Sequence, residues 1–335
     1  MRASFKAIKL CSFIATHIMK LRNIEFGSVI GASGVNGFFG EGYAYHKLLK
    51  LVPGFSMQGV TLTAKTTTLN ARAGNMPLGR DGYSPRELYP ASIVVKPGAG
   101  VVLNAVGLSG PGLDFILKLG RWQKIEKPFF LSFMSVEATS EKRLEELRQA
   151  VALLKEALPQ FRAKVGLQIN FSCPNTGHDQ EELVKDIHQS LQIASVLNIP
   201  LVPKISVLIP PDKAREIIND PNCDAIAVSN TISWNDLPEQ VRKVFFRTQK
   251  SPLEKFGGGA ISGKYLLPLV VEWVRQFKKF SGGKPIIAGG GILRPRDVDA
   301  LVEAGASAIS PGTVVMLRPW NMKRIIKRAN ELLSK

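Results

Sequence analysis

The chain has 335 residues, of which 45% are apolar and 21% are charged, a balance typical of a globular protein that excludes a disordered or largely membrane-embedded one. Lysine and arginine number 44 against 27 aspartate and glutamate, and the net charge of +17 favours anionic partners such as phosphate cofactors, carboxylates, acidic lipids or nucleic acid. The three cysteines are too few for a disulfide framework and indicate a reducing compartment, which we expect to be the cytoplasm.

The first 20 residues differ in character from the rest. They are basic and then partly apolar, with Ser12, Thr16 and His17 interrupting the apolar run. We interpret residues 1–20 as an extension, either disordered or preceding a true start at Met19, with a membrane-surface helix as the alternative. No stretch approaches the roughly 20 apolar residues of a membrane span. Residues 21–335 are long enough for one large α/β domain.

From Val60 onward, short β-branched runs alternate with segments of helical periodicity, which is typical of βαβ units and a parallel sheet. The predicted strands are Val60–Lys65, Val101–Asn104, Phe129–Ser132, Val165–Asn170, Leu201–Ile205, Ala225–Ser229, Ile286–Ala288 and Ala308–Ser310. The predicted helices are Thr139–Leu158, Gln180–Leu197, Pro210–Asn219, Gly263–Phe280 and Arg296–Ala304. Pro295 suits a first helical position.

Eight such units predict a single closed (β/α)8 TIM barrel rather than an open doubly wound sheet, with the active site where strands end and loops begin. Two long segments, Ala71–Gly100 and Trp234–Gly259, exceed simple connections and are predicted to fold over the mouth of the barrel or to build an interface. The dense basic residues between Arg318 and Lys335 are interpreted as a solvated helix face, with a phosphate-binding patch as the alternative.

Polar side chains end several of the predicted strands. They are Lys65, Asn104, Asn170, Lys204 and Ser229-Asn230-Thr231. Because buried polar groups need partners, their recurrence around one rim predicts a binding site. Cys173 follows the fourth strand and is either a catalytic thiol or a small buried hydrophobe.

Glycines follow the last two predicted strands, as Gly289-Gly290-Gly291 and Gly312-Thr313. Glycine loops expose backbone N–H groups that bind anions, and the loops after strands seven and eight are the usual phosphate site of such barrels. Gly263, which opens another predicted helix, is added to the same site. We therefore predict phosphate binding here, with tight turns as the alternative.

The segment Asn170–Thr176, Asn-Phe-Ser-Cys-Pro-Asn-Thr, resembles the base-bearing loop of the cysteine-base (class 1) dihydroorotate dehydrogenases. The resemblance extends in order from about Leu21 to the C-terminal helix. Its other motifs are Gly31-Ala32-Ser33-Gly34, Lys65-Thr66-Thr67-Thr68, Gly74-Asn75-Met76-Pro77, Asn104-Ala105-Val106-Gly107-Leu108, Lys204, Ser229-Asn230-Thr231, Gly289–Ile292 and Gly312-Thr313. It implies an FMN-dependent TIM-barrel oxidoreductase of pyrimidine biosynthesis that oxidises (S)-dihydroorotate to orotate.

The resemblance also implies a role for each matching residue. Cys173 would be the general base that removes a proton from C5 of dihydroorotate while C6 delivers a hydride to flavin N5, and Lys204 would lie beside the pyrimidine end of the flavin. The implied substrate residues are Lys65, Asn104, Asn170, Asn175, Asn230 and Thr231. The implied FMN residues are Ala32, Ser33, Gly34, Lys65, Thr66, Asn170, Lys204, Gly263, Gly290, Gly291, Gly312 and Thr313.

The chemistry of these residue types agrees with the implied roles. Asparagine carries both a donor and an acceptor, so several can read the imide-like groups of dihydroorotate without adding charge. A cation such as Lys204 near flavin N1 stabilises the reduced ring. A thiol with an ordinary pKa of about 8.5 becomes a base near neutral pH when a cation or dipole lowers that pKa. Cys11 and Cys223 are interpreted as structural, and the spacing of histidines and cysteines predicts no metal site.

Two segments depart from the family pattern. The loop Ser132–Glu137 lacks the usual glycine, which leaves its flavin contacts open, and Gly79–Pro90 is longer than the family needs.

Three other functions are alternatives to this one. A dihydropyrimidine dehydrogenase-like barrel works with iron–sulfur segments for which this chain has too few cysteines. A tRNA dihydrouridine synthase-like barrel would use the positive charge, but such enzymes resemble Asn-x-Gly-Cys-Pro at the base and would not require the full asparagine set. A non-catalytic flavin barrel is disfavoured because all the expected polar positions are present.

The resemblance implies a homodimer, with or without an iron–sulfur flavoprotein subunit for electron transfer, and no nucleic-acid partner. Membrane-bound quinone users in the family carry serine as the base, so Cys173 points to the soluble branch. The sequence leaves the electron acceptor open among fumarate, NAD through a partner subunit, and quinone.

Overall fold

The computed structural model describes residues 19–171, 180–228 and 230–333. The strands within these ranges are β1 (Lys20–Leu21), β2 (Ile24–Glu25), β3 (Ile93–Lys96), β4 (Val101–Asn104), β5 (Phe129–Phe133), β6 (Val165–Asn170), β7 (Leu201–Ile205), β8 (Ile226–Val228), β9 (Ile232–Ser233), β10 (Ala260–Gly263), β11 (Ile286–Gly289) and β12 (Ala308–Ser310). The α-helices are α1 (Ala44–Leu49), α2 (Leu113–Lys118), α3 (Ser140–Ala157), α4 (Gln180–Ala194), α5 (Pro211–Asn219), α6 (Glu239–Phe246), α7 (Leu266–Phe277), α8 (Pro295–Ala304), α9 (Val314–Leu317) and α10 (Met322–Leu333).

Six strands form one parallel sheet, in the order β12, β11, β8, β7, β6 and β5. Their residues are almost all buried, as expected for a parallel sheet whose outer face is covered by helices. Those helices pack against each other in chain order, α3 on α4, α4 on α5, α5 on α7 and α7 on α8. The sheet confirms the six predicted strands from Phe129–Ser132 to Ala308–Ser310, with small shifts of their ends.

The sheet is curled, and isolated parallel bridges extend it at both edges. The segment around Ile30 bridges to Ile309 of β12 on one side and to Thr61 on the other. The segment that holds Thr61 also bridges through Thr63 to Phe130 of β5. These bridges are backbone hydrogen bonds of ordinary length, and the Ile30 N–H donates to the Ile309 carbonyl at 2.8 Å. Two non-regular segments therefore link the two edges of the six-stranded sheet.

Two of the eight predicted strands are corrected by the structure. Val101–Asn104 is wrong as a barrel strand, because it is β4 of a separate antiparallel sheet in the order β3, β4, β10 and β9. A short apolar run has the same periodicity in both kinds of sheet, so its pattern could not separate them. Val60–Lys65 is observed as one of the bridging segments rather than as a regular strand.

The amino-terminal end of the curled sheet is filled by side chains. Phe26, which follows the β1–β2 hairpin, stacks on Phe130 with ring centroids 4.1 Å apart. Gly166 of β6 makes room for this pair, since a Cβ there would lie 2.7 Å from the Phe130 ring. Met19 and Leu21 pack into the same cluster. With this end closed, the space inside the sheet opens at the carboxyl ends of the strands.

The predicted helices are confirmed with shifts of a few residues. Helix α8 begins at Pro295, as its fixed φ favours, and α7 begins at Leu266 because the chain up to Gly263 completes β10. The long segments 71–100 and 234–259 contribute β3 and α6. Within the ranges that the structure describes, no helix is long and apolar enough to cross a bilayer.

Candidate active site

One cavity of about 1640 Å³ opens at the carboxyl ends of the parallel strands. Every predicted site residue in the described part of the chain lines it. They are Ala32, Ser33, Gly34, Lys65, Thr66, Asn104, Asn170, Lys204, Asn230, Thr231, Gly263, Gly290, Gly291, Gly312 and Thr313. Cys173 and Asn175 lie outside the described residues. The fold thus gathers into one cavity the residues that the sequence assigned to one site, while their individual roles stay predictions.

Asparagine side chains border this cavity from different strands. Asn230, which follows β8, donates through Nδ2 to Oδ1 of Asn170 at the end of β6, at 2.7 Å. Asn104, at the end of β4, donates through Nδ2 to the Ala260 carbonyl at 3.5 Å. Such bonds orient an amide, because they define which end donates and which accepts. The amides therefore offer oriented polar groups without adding net charge.

Lys65 is a buried cation at one side of the cavity. Its side chain is held by a hydrogen bond from Nζ to the Ser109 carbonyl, and Nζ lies 5.0 Å from the centre of the Phe38 ring, a cation–π distance. Burial lowers the pKa of Lys65 to about 8, and the Glu41 carboxylate opposes that shift. Lys65 is therefore charged at neutral pH and can face an anionic ligand.

Lys204 is a second lysine in the same cavity. It lies on β7 in register with Asn170 of β6. Burial lowers the pKa of Lys204 to about 8 as well. In contrast to Lys65, its ammonium has no hydrogen bond or ion pair with any residue in the described ranges. Two lysines with lowered pKa values in one cleft are typical of a functional site.

A small hydroxyl cluster joins the two bridging segments to β5. Ser33 Oγ lies 2.8 Å from Thr66 Oγ1, which lies 2.9 Å from Ser132 Oγ. Ser33 also donates to the Ala64 carbonyl at 2.9 Å. Because each hydroxyl has a partner, the cluster holds the segment of Ser33 against that of Thr66 on the wall of the cavity.

Glycines from separate loops form the part of the cavity predicted to bind phosphate. Gly291 has a φ of +80°, and a Cβ there would lie 2.6 Å from the Gly263 carbonyl oxygen. Gly263 has a φ of +104°, and its Cβ would lie 2.4 Å from the Gly100 carbonyl oxygen. Side chains are excluded at both positions, so the loops meet as bare backbone, the arrangement that binds phosphate. This cradle, the two lysines and the volume of the cavity fit FMN.

The loop after β5 is anchored by a residue that the sequence did not single out. Glu146 of α3 is 6% exposed, and its carboxylate accepts hydrogen bonds from the Val136 N–H at 2.7 Å and the Glu137 N–H at 3.1 Å. Residues 134–138 of this loop line the cavity. The sequence contained one indication of this role. Glu146 is an acidic residue on the apolar face of an amphipathic helix, where a carboxylate needs hydrogen-bond donors. The departure from the family pattern at Ser132–Glu137 thus falls on the cavity wall.

The long segment Gly79–Pro90 also reaches the cavity, through residues 84–90. Tyr89 within it is 86% exposed and Leu88 43% exposed. The prediction that the excursion 71–100 folds over the mouth agrees with this placement. From the other excursion, Phe256 and Gly257 line the same cavity.

His46 lies in α1, next to the rim residues Tyr45 and Lys47, and is 5% exposed. Its Nδ1 accepts from the Tyr43 N–H at 3.3 Å. Its Nε2 is buried without a hydrogen-bond partner among the described residues. Burial lowers the pKa of His46 to about 4.

We expect acidification from pH 7 to pH 5 to lower the free energy of unfolding by about 2 kcal/mol through His46. The unfolded chain binds a proton at the ordinary pKa near 6.5, whereas the folded chain does so only near 4, so stability present above pH 6.5 is lost as the pH falls. Urea unfolding of the wild type and His46→Gln at both pH values measures this. The variant should lack this part of the loss, and an equal loss in both proteins would refute the assignment.

Comparison with known proteins places the chain in a family. The family model described as dihydroorotate dehydrogenase matches residues 17–333. Curated relatives named dihydroorotate dehydrogenase B (NAD(+)), catalytic subunit, include one from Caldicellulosiruptor bescii that is 31% identical over 90% of this chain and 87% of the relative. Another, from Enterococcus faecalis, is 28% identical over 91% of this chain and 88% of the relative. The predicted family and its class 1 branch are confirmed.

Solved structures agree on the fold. Ligand-free DHODH from Eimeria tenella aligns with a TM-score of 0.63 at 20% identity, covering 95% of this chain and 86% of that one. DHODH from the same organism in complex with ferulenol aligns with a TM-score of 0.62 at 20% identity, covering 95% and 83%. At this identity the likeness shows the fold alone.

Proposed function

We propose that this chain, which belongs to the dihydroorotate dehydrogenase family, oxidises (S)-dihydroorotate to orotate with FMN in de novo pyrimidine biosynthesis. The family consists of flavin-dependent oxidoreductases. One observation carries the assignment of FMN and dihydroorotate to this chain. A glycine cradle, two lysines of lowered pKa and oriented asparagine amides all line the same cavity. Each part matches one part of the proposed cofactor or substrate.

We assign the FMN site to the residues that the resemblance implied. The phosphate would be held by Gly263, Gly290, Gly291, Gly312 and Thr313, and the ring system by Ala32, Ser33, Gly34, Lys65, Thr66, Asn170 and Lys204. The hydroxyl cluster supports this assignment because it fixes the backbone of Ser33 and Thr66. When bound, FMN supplies the hydride acceptor for the reaction.

We assign the substrate to Lys65, Asn104, Asn170, Asn175, Asn230 and Thr231. Dihydroorotate has imide-like N–H and C=O groups, which amides complement as donor and acceptor, and a carboxylate, which the Lys65 ammonium complements. The hydrogen bond between Asn230 and Asn170 supports this role because it orients both amides before a ligand arrives. Lys65 stays charged at neutral pH, where the carboxylate is ionised.

We assign proton removal from C5 of the substrate to Cys173. The assignment follows from the family motif, since Cys173 lies outside the described residues. Supporting it, β6 ends at Asn170, so the chain leaves the sheet at the cavity a few residues before Cys173. Lys204, on the neighbouring strand, would assist by its positive charge beside the flavin.

We further propose that the two bridging segments complete an eight-stranded (β/α)8 barrel around this site, and that residues 21–335 form one catalytic domain preceded by an extension. The bridges at Ile30, Thr61 and Thr63 support the closure. The names of the relatives, catalytic subunits of an NAD(+) enzyme, support the transfer of electrons to NAD through a further subunit. From the resemblance we propose that this subunit is an iron–sulfur flavoprotein and that the chain forms a homodimer. We place the protein in the cytoplasm, because its few cysteines suit a reducing compartment. Comparing reoxidation of the reduced protein by fumarate, NAD and quinones tests the acceptor.

Anaerobic mixing of the FMN-loaded protein with dihydroorotate tests the reaction. We expect the visible absorbance of oxidised flavin to fall and orotate to form in equal amount, because each substrate delivers one hydride. Dihydrouracil, which lacks the carboxylate, and a dihydrouridine-containing tRNA are the controls and should leave the flavin oxidised. A flavin that stays oxidised with dihydroorotate would refute the substrate assignment, and reduction by a control would point to the related pyrimidine barrels instead.

A further inference from the structure

Gln168 occupies a place inside the curled sheet to which the proposed function gives no role. It lies on β6 two residues before Asn170, so both side chains project from the same face of the strand. Both line the cavity, and Gln168 lies two residues further than Asn170 from the carboxyl end of the strand. Gln168 is 4% exposed. A long polar side chain is thus enclosed below the proposed site.

The side-chain carbonyl of Gln168 is a buried acceptor without a donor. Its Oε1 has no hydrogen-bond partner in the ranges that the structure describes. Leaving a buried acceptor unpaired is costly, so such an atom is expected to face a donor in some functional state. The carbonyl therefore points to a neighbouring group that donates to it.

The register of the sheet places a donor, Lys204, on the strand beside Gln168. Strand β7 pairs with β6 so that Val202 lies opposite Gln168 and Lys204 lies opposite Asn170. Because side chains alternate along a strand, Lys204 and Gln168 project to the same side and line the same cavity. The Lys204 ammonium, as described above, has no partner in the described ranges. An acceptor without a donor and a donor without an acceptor therefore lie on adjacent strands.

We propose that Gln168 is a positioning residue for Lys204, supplying through Oε1 a neutral acceptor that holds the ammonium under the pyrimidine end of the bound flavin without fixing its charge. The inference rests on the proposed FMN site. Gln168 touches neither substrate nor flavin in this arrangement and acts only through the lysine. Its neutrality is as important as its carbonyl, because a carboxylate in the same place would hold Lys204 permanently charged.

The surroundings of Lys204 agree with a neutral holder. The side chains on the same face of the adjoining strands are neutral. They are Gln168 and Asn170 of β6, Ser132 of β5 in register with Gln168, and Ala227 of β8 in register with Lys204. The other charged groups of the cavity wall include Lys65 and Glu41. None of them alters the pKa of Lys204, which is lowered by burial alone. Lys65 differs, since Glu41 opposes the effect of burial on its pKa.

The consequence is a lysine whose charge follows the contents of the cavity. With a pKa near 8, Lys204 is protonated in only part of the molecules in mildly alkaline solution. A negative charge arriving above it favours the protonated form. Gln168 can accept a hydrogen bond from the ammonium and, through its amide, donate one to the neutral amine. The pair thus serves both protonation states.

Gln168→Glu tests the inference, because it keeps the shape and adds a charge. In the apoprotein, the wild type should gain unfolding free energy as the pH rises from 8 towards 10.5, since unfolded Lys204 holds its proton longer than folded Lys204. In Gln168→Glu, we expect a raised pKa of Lys204, by about one unit or more, and a smaller gain over this range. Gln168→Met, of similar length but without charge, should keep the wild-type pH dependence.

FMN binding, followed by quenching of flavin fluorescence, gives the second measurement. We expect the alkaline loss of FMN affinity to move to higher pH by about one unit in Gln168→Glu and not in Gln168→Met. An unchanged midpoint in a folded Gln168→Glu protein overturns the inference. If Gln168→Glu does not fold, a double-mutant cycle of Gln168→Met and Lys204→Met on FMN affinity decides, and additive effects overturn the inference. If FMN does not bind at all, the proposed function fails, while the unfolding measurement on the apoprotein still decides the relation of Gln168 to Lys204.

Discussion

Cys173→Ala is expected to bind FMN like the wild type and to be reduced by dihydroorotate about 10²–10⁴-fold more slowly at neutral pH, the usual size of a general-base contribution. Removing the thiolate removes the group that we propose to accept the C5 proton as the hydride leaves C6. Anaerobic stopped-flow mixing of the FMN-loaded variant with dihydroorotate measures the rate directly. Flavin absorbance before mixing shows that the cofactor is retained.

Cys223→Ala is the matched control for this experiment. Cys223 is buried at 1% exposure, its thiol lies 3.4 Å from the Ala225 carbonyl, and burial raises the pKa of this thiol to about 12. Such a thiol is not a base at neutral pH, so its removal should leave the reduction rate unchanged and cost only packing. Near-normal reduction of Cys173→Ala would remove Cys173 from the mechanism. Equal slowing of both variants would indicate a general loss of structure.

The residues that line the cavity were easier to predict than the topology around them. Lys65, Asn170 and Lys204 were predicted to line the site because each interrupts an apolar pattern at the end of a predicted strand. A charge or an amide is unfavourable in the apolar core of a barrel unless it has a partner. All three line the observed cavity. Asn104 was also found, although its strand belongs to the antiparallel sheet. The position of a polar residue at a strand end thus carried more information than the sheet to which the strand was assigned.

The misassignment of Val101–Asn104 to the barrel follows from a segment that the sequence pattern did not reveal. Val29 and Ile30 form bridges instead of a strand of detectable length, so no periodic run marks them. With that segment missed, Val101–Asn104 was the remaining apolar run that could complete a count of eight. Pairing partners are a tertiary property, and four residues of alternating backbone do not specify them.

Two buried polar groups were not predicted from the sequence, one that anchors a loop of the cavity wall and one that we propose to position Lys204. Glu146 and Gln168 look like ordinary members of a helix and a strand, and only the structure shows that they are 6% and 4% exposed. Glu146 accepts from the N–H groups of Val136 and Glu137 in the preceding loop. Lys204, the partner that we propose for Gln168, lies on the neighbouring strand. Sequence patterns record which residues face inward but not which polar groups meet there.

Gly291→Ala is expected to lose FMN binding and to destabilise the fold by about 2–5 kcal/mol. The backbone at φ +80° costs an L-residue about 1–2 kcal/mol. The added methyl would also lie 2.6 Å from the Gly263 carbonyl and 2.9 Å from the Leu267 amide nitrogen, and crowding of this kind costs about 1–3 kcal/mol. Because both neighbours are backbone, they cannot turn away, so the two sides of the proposed phosphate cradle must move apart. FMN affinity by fluorescence titration and urea unfolding measure the two effects.

Gly283→Ala separates the strain of the backbone from the loss of the cradle. Gly283 has a φ of +86°, close to that of Gly291, but nothing lies within 4 Å of its added Cβ. It should therefore lose about 1–2 kcal/mol of stability and keep the FMN affinity of the wild type. If Gly291→Ala binds FMN as tightly as Gly283→Ala does, the phosphate does not sit against this loop. The assignment of Gly263, Gly290 and Gly291 to the cofactor would then have to be given up, although the lysines and asparagines of the cavity could still form the substrate site.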